Sequence, residues 1–432
     1  VALLARYPEG DPAMPQRIPN LGLRMVEARL RASALAGLEV RVWDLEPDGP
    51  SAAEVADQVV AFDPDVVGFS TFLWSFPFFL LVAADIKFDD PTRLIVFGGP
   101  SARPVMLDHE PHDALSGAVD VLVINEGEET FTEIVTLEDR SSGAVLGLQG
   151  VAVRLDGRWK ESLPRPLGDL NLLPSPYEMN LIPPGGLGIL QTYRGCPFTC
   201  SFCEWGTMES PKRVRTIDSL DTEFQAMQNL GLRGALLADA GLNLNNGAFR
   251  NLAAAAERTG FLEGRGLICE VYPATVRKDH LDFLRNVGNA YVGVGLQSFD
   301  SEVLAQVDRK YDAARFEQTL HALGEVAKVA VEVIMGLPGD SPEKFRLNFH
   351  RARRLPCALR VYHCVVLPSA LMVRSPPEHV LDYDPVSLKM RSCLGWPADA
   401  LAAEAAFLDR ETARAGGQAG EFFWVFPPPA GF

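Results

Sequence analysis

The stretch Arg194-Gly-Cys196-Pro-Phe-Thr-Cys200-Ser-Phe-Cys203-Glu-Trp-Gly206 constrains this chain more than any other feature. Its C-x3-C-x2-C spacing sets three thiolates on one tight loop. Sulfur-only ligation selects an iron–sulfur cluster or zinc. A structural zinc wants a fourth protein ligand, and no further Cys or His lies near this loop. A four-iron cluster held by three cysteines instead keeps one iron open for chemistry. Random placement of 7 Cys among 432 residues would give this triple about 0.002 times per chain. The residues alone leave both metals open, and the ligand count favours the cluster.

A chain of 432 residues is expected to form two or three domains. Its 40 Lys+Arg against 56 Asp+Glu give a net charge of −16. That balance argues against nucleic acid or an anionic membrane as the main partner. No 18-residue apolar run is present, nor a basic-then-apolar leader, although a sequence opening at Val1 without Met leaves room for preceding residues. An odd number of cysteines, three of them in one motif, fits a reducing cytoplasm better than a disulfide framework. The scattered Cys269, Cys357, Cys364 and Cys393 read as buried small hydrophobes.

In residues 1–150, short apolar runs alternate with helical patterns. Leu38–Trp43, Val66–Ser70, Leu94–Phe97 and Val119–Ile124 read as buried strands. Arg24–Ala36, Ala52–Phe62, Phe79–Ile86 and Glu129–Leu137 read as helices. This rhythm predicts a doubly wound parallel sheet, Rossmann-like, whose ligand lies beyond the carboxyl ends of the strands. The segments there are Asp44–Gly49, Ser70–Ser75, Gly98–Ser101 and Asn125–Glu128. Residues 151–187 read as a hairpin turning at Asp156-Gly157, followed by a proline-rich linker.

Residues 188–367 resume the alternation. Ile189–Thr192, Gly234–Ala238, Leu267–Val271, Tyr291–Leu296, Val329–Ile334 and Arg360–Val366 read as strands, with helices between them. Six βα units predict a partial (β/α)6 barrel with its site at the C-terminal strand ends. The cysteine loop follows the first strand. Asp239–Asn245 follows the second, Glu270–Pro273 the third, Gln297-Ser298 the fourth and Gly336–Gly339 the fifth. Residues 368–432 lose the rhythm, apart from a helix at Asp399–Arg414 and an aromatic end, Phe422–Phe426. They read as an irregular, α-containing extension covering the barrel mouth, and nothing in them identifies a substrate.

The cysteine loop, with Phe202 directly before its third cysteine, resembles the signature of the radical S-adenosylmethionine (SAM) superfamily. The resemblance implies a [4Fe-4S] cluster on Cys196, Cys200 and Cys203. It also implies SAM chelated by the open iron, with Phe202 over its adenine. It places Asp239 and Gly241 by the methionine amino group, Glu270, Gln297 and Ser298 by the ribose or carboxylate, and Gly336 by the adenine. Asp239 departs from the usual Gly-Gly-Glu-like pattern, and Glu270 also reads as a plain strand-end charge. Arg309 and Tyr311 match a family segment near the mouth, yet as bare residues they look like a solvated charge run.

The first 150 residues resemble the cobalamin-binding domain of one large subgroup of that superfamily. Val66–Trp74, with Ser70, Thr71, Leu73 and Trp74 in its loop, matches the third strand; Gly98 and Gly99 follow the fourth; Glu126 and Gly127 follow the fifth. Where histidine-ligating cobalamin domains carry Asp-x-His-x-x-Gly, this chain reads Asp44-Leu-Glu46-Pro-Asp-Gly49. Glu46 offers no nitrogen to cobalt, and His109 and His112 read as surface residues. Leu73 or Trp74 is then nearest the lower face, or Trp74 simply packs at a seam.

What the resemblance implies is a cobalamin-dependent radical SAM methyltransferase, methylating a carbon of a small-molecule or peptide precursor in bacterial specialised-metabolite (antibiotic-type) biosynthesis. An external flavodoxin- or ferredoxin-type electron donor is also implied. Two other enzymatic outcomes share the cofactors: rearrangement or cyclisation, and polar methylation of an aromatic ring carbon. A cobalamin- or redox-sensing module is a further class, and the open iron and polar barrel mouth weigh against it.

Overall fold

The computed structural model describes residues 1–9, 18–207, 213–310 and 312–429. They divide into two compact units, the first made of residues 1–9, 20–182 and 385–387 and the second of 18–19, 183–207, 213–310, 312–384 and 388–429.

In the first unit, five parallel strands take the spatial order 41–45, 2–6, 66–70, 94–98 and 121–123. Neighbouring strands that exchange sides about the first strand define a doubly wound sheet with a switch point between strands one and three. The first strand, Ala2–Arg6, an interior strand beside the edge strand 41–45, has no counterpart in the predicted set. The second strand forms at Arg41–Leu45, three residues beyond the predicted start, where its register on Ala2–Arg6 places Trp43 and Leu45 in the core. Helix Ala52–Phe62 has its predicted bounds, fixed by a capping box between Ser51 and Glu54. The 151–155 and 158–161 hairpin extends this sheet antiparallel. Asp156 at φ 51° and Gly157 at φ 76° supply the left-handed pair that a two-residue turn requires.

In the second unit, strands 188–190, 234–237, 266–271, 290–297, 328–335 and 358–363 pair in sequence order, all parallel. This is the predicted partial barrel. One face carries alternate apolar residues such as Leu267, Cys269, Val292, Val294, Val331 and Val333, all buried. The helices that follow the strands cover that face. The other face carries Glu270, Gly293, Gly295, Glu332 and Arg360.

The extension is less irregular than expected. Helix Ala398–Arg414 is present, and the aromatic end forms a strand, Phe423–Phe426, antiparallel to the sixth barrel strand. Trp424 and Phe426 are thereby buried.

Candidate active site

Cys196, Cys200 and Cys203 sit on the loop after the first barrel strand, none of them in a disulfide, with Cys200 buried. The loop is tied down at several points. Ser201 N–H donates to Val307 O at 3.0 Å, and Cys203 N–H to Cys200 O at 3.1 Å. Thr199 donates its hydroxyl to Asp308. Burial pushes the Cys196 thiol up, opposed by the Phe198 amide and by nearby Arg309. Phe202 is half-buried on this loop. A ring that sequence reasoning passed over, Phe198, packs 4.5 Å from Tyr272.

Arg309, read from sequence as a solvated charge, is drawn inward. Its guanidinium lies 5.0 Å over the Tyr272 ring and donates to Gly295 O at 2.6 Å. Tyr311 lies outside the described residues.

Asp239, only 5% exposed, accepts from Thr192 N at 2.8 Å, from the Thr192 hydroxyl and from Tyr193 N at 3.4 Å. It thus ties the second strand end to the first. Burial pushes its carboxyl up to about 7 despite these donors. Tyr193 donates to Gly241 O at 2.9 Å.

Glu270 differs: no described group donates a hydrogen bond to its carboxylate. It lies across Gly293 of the next strand, where a Cβ would fall 2.1 Å from Oε1. Burial pushes Glu270 up, the charge of Glu332 adds to this, and Arg360 opposes it. Glu332 is raised by burial too; it accepts from Tyr362 at 3.3 Å and pairs with Arg360 at 3.8 Å. Register makes this array: Glu270 faces Gly293, and Gly295 faces Glu332, which faces Arg360. The sequence signal was available in Tyr291-x-Gly293-x-Gly295-x-Gln297. Glycines on alternate positions of a strand clear one face, marking a place where something approaches closely.

Gln297 takes φ 70° at an irregularity in the pairing, and its buried Oε1 has no partner. Ser298 faces the fold instead, accepting from Asn348 at 2.9 Å. Gly336, at φ 91°, abuts Leu401 of the extension helix and Cys364.

In the first unit, the predicted loops gather at the switch point. Trp74 is 40% exposed, stacks on Phe72 at 4.6 Å and donates its indole N–H to Arg6 O at 2.9 Å. Arg6 in turn donates to Pro47 O at 2.8 Å and covers Phe78 at 4.5 Å. Leu73 is half-buried beside it. Asn20 donates to the Ser70 hydroxyl at 3.1 Å. Thr71 is used internally, its N–H and hydroxyl both on Gly98 O. Gly99 at φ 96° is needed for this same contact, because a Cβ there would meet Thr71 O at 2.6 Å. Gly127 caps helix Glu128–Thr136, and the Glu126 carbonyl accepts from Thr130 at 3.4 Å. Glu46 is exposed. His112 is a correction to the surface reading: it is buried edge-on to Phe76 at 5.1 Å, and burial lowers its pKa.

Among the described residues no three His, Cys, Asp or Glu side chains come together tightly enough for a single metal ion. A lone zinc needs its sulfurs all about 2.3 Å from one point. A four-iron cluster takes each thiolate on a separate iron, so a C-x3-C-x2-C donor set with no further Cys or His near it in the sequence suits the cluster. The chemistry of the donor set therefore fits it.

Comparison with known proteins agrees. Residues 190–351 match the model of the Radical SAM superfamily, and residues 13–135 that of the B12 binding domain. The chain is 28% identical over 359 residues to the cobalamin-dependent radical SAM methyltransferase TokK of Streptomyces tokunonensis, covering 76% of this chain and 50% of that protein. It is 27% identical over 349 residues to the 2-(S-pantetheinyl)-carbapenam-3-carboxylate methyltransferase of Streptantibioticus cattleyicolor, covering 74% and 49%. The chain thus spans about half the length of these curated relatives. Its fold is that of the radical SAM methyltransferase TsrM from Kitasatospora setae, solved with tryptophan and a SAM analogue. The TM-score is 0.68 at 17% identity, over 94% of this chain and 88% of that one. No helix among the described residues is long and apolar enough to cross a membrane. The chain thus carries a B12-binding domain followed by a radical SAM domain, which takes a [4Fe-4S] cluster and SAM, and is homologous to the cobalamin-dependent radical SAM methyltransferases.

Proposed function

We propose that this chain is a methyltransferase acting on a carbon of a small-molecule or peptide precursor in bacterial specialised metabolism. The observation that carries the reading is the cysteine loop at a barrel mouth floored by Gly293 and Gly295, in a chain that also has a B12-binding domain. The carbapenam substrate in one relative's name and the tryptophan bound in a matching structure support a compact precursor. When bound, the cluster supplies an electron that cleaves SAM to an adenosyl radical, and cobalamin supplies the methyl group.

The chain's own residues bind, orient and exclude water. Cys196, Cys200 and Cys203 hold the cluster. Glu270, without a protein donor, accepts hydrogen bonds from ribose hydroxyls, and the free Oε1 of Gln297 accepts another. Phe202 and Gly336 border the adenine. Asp239 and Gly241 present backbone to the methionine end while the Asp239 carboxylate braces the first strand. In the first unit Ser70, Leu73, Trp74, Gly98, Glu126 and Gly127 shape the cobalamin crevice. Electrons come from a flavodoxin- or ferredoxin-type donor in a reducing cytoplasm.

The test is anaerobic incubation under strong reductant with candidate precursors, quantifying S-adenosylhomocysteine, 5′-deoxyadenosine and methylated product together. One of each adenosyl product per methylation is expected. Methylation without deoxyadenosine would replace the radical step by polar transfer, and deoxyadenosine without methylation would point to rearrangement.

A further inference from the structure

One side chain grips the cysteine loop from the C-terminal extension. Arg374, at the end of the short helix Leu371–Arg374, donates from Nη1 to Thr199 O at 3.2 Å. Its Nη2 donates to Cys200 O at 2.9 Å, Ser201 O at 3.4 Å and Cys203 O at 2.5 Å. Five residues earlier, Ser369 N–H donates to the Glu204 carboxylate at 3.2 Å. Four loop carbonyls thus turn toward one guanidinium.

Arg374 is half-buried, and among the described residues its buried Nε has no partner and no carboxylate pairs with the guanidinium. Taking a cation out of water without a counter-charge is costly, and neutral carbonyls repay only part of it. Of the acids that touch the loop, Asp308 accepts from the Thr199 hydroxyl and Glu204 from the Ser369 N–H. Three thiolates on a four-iron core carry net negative charge, which grows by one on reduction. That is the counter-charge this arrangement lacks.

We propose that Arg374 is the electrostatic partner of the iron–sulfur centre: it holds the cysteine loop in its ligating shape and eases the centre's one-electron reduction. The inference rests on Cys196, Cys200 and Cys203 holding a four-iron cluster. A fixed cation near a cluster stabilises the reduced form, because the attraction increases with each electron added. It is a positioning residue, through which the extension acts on the redox centre.

Anaerobically reconstituted wild type, Arg374→Lys and Arg374→Gln are compared by iron and sulfide content and by EPR during redox titration. A wild type that holds zinc or no iron sinks the cluster reading itself, before any variant is compared. With four irons in each protein, Arg374→Gln should show about a ten-fold lower reduced-to-oxidised ratio at one fixed potential. Arg374→Lys, which keeps charge but not the fork, should stay near wild type in that ratio. An unchanged ratio in Arg374→Gln overturns the proposal. Should Arg374→Gln fail to hold iron, Arg374→Lys decides: iron and a wild-type ratio support the charge role, whereas lost iron or a ten-fold shift overturns it.

Discussion

The carboxylate of Glu270 occupies the space where a side chain on Gly293 would have to stand, with Oε1 2.1 Å from the position of a Cβ. The two residues are register partners on adjacent parallel strands. The absence of a side chain on one therefore sets the rotamer of the other.

Gly293→Ala should displace Glu270 from the barrel mouth while leaving the cysteine loop intact. Cluster content is expected to match wild type, with SAM affinity about ten-fold weaker, the loss of one hydrogen-bonding contact. Equilibrium binding of SAM to reconstituted protein, beside an iron assay, checks both halves. Unchanged affinity would remove Glu270 from the cofactor contacts.

Cys200→Ala should abolish deoxyadenosine formation and cluster loading. Cobalamin should remain bound, because its crevice belongs to the first unit. Absorbance of purified, cobalamin-loaded variant together with iron counting reads this directly.

The Asp239 carboxyl, held near 7 by burial, gives a pH signature. Its folded pKa lies above the unfolded value near 3.9, so the folded state binds the extra proton between those limits. Stability should then fall as pH rises from about 4 to about 7, and stay level above, by an amount on the order of 2 to 4 kcal/mol. Asp239→Asn, which can keep a donor and an acceptor facing Thr192, should flatten this dependence. Denaturant unfolding of the unloaded protein at pH 5 and pH 8 tests the sign.

Trp74→Ala removes a stack on Phe72 and a hydrogen bond to Arg6 O. Half-exposed as it is, the loss should cost about 1 kcal/mol of stability while the cluster is kept. If Trp74 shields the lower face of cobalt, the spectrum of bound cob(II)alamin will change. In wild type that EPR spectrum should show no nitrogen splitting from a protein imidazole, since Glu46 stands at the usual histidine position.

The sequence by itself determined the two modules, the alternation of strands and helices within them and the cysteine loop after the first barrel strand. Those features are local: apolar runs, turn residues and a cysteine spacing each act over a few neighbours in the chain. Ala52–Phe62 starts where the local Ser51/Glu54 cap sets it. Only the tertiary structure decided the rest. Ala2–Arg6 became an interior strand because strands 41–45 and 66–70 pair with it on its two sides, a fact no five-residue window contains. Gly99 proved to serve Thr71, and His112 to be buried, through contacts from distant loops. Strand register placed Glu270, Gly293, Glu332 and Arg360 in one array across strands far apart in sequence. Arg374 meets the cysteine loop from about 170 residues downstream, because hydrogen bonds and charges act through space, which only the folded chain defines.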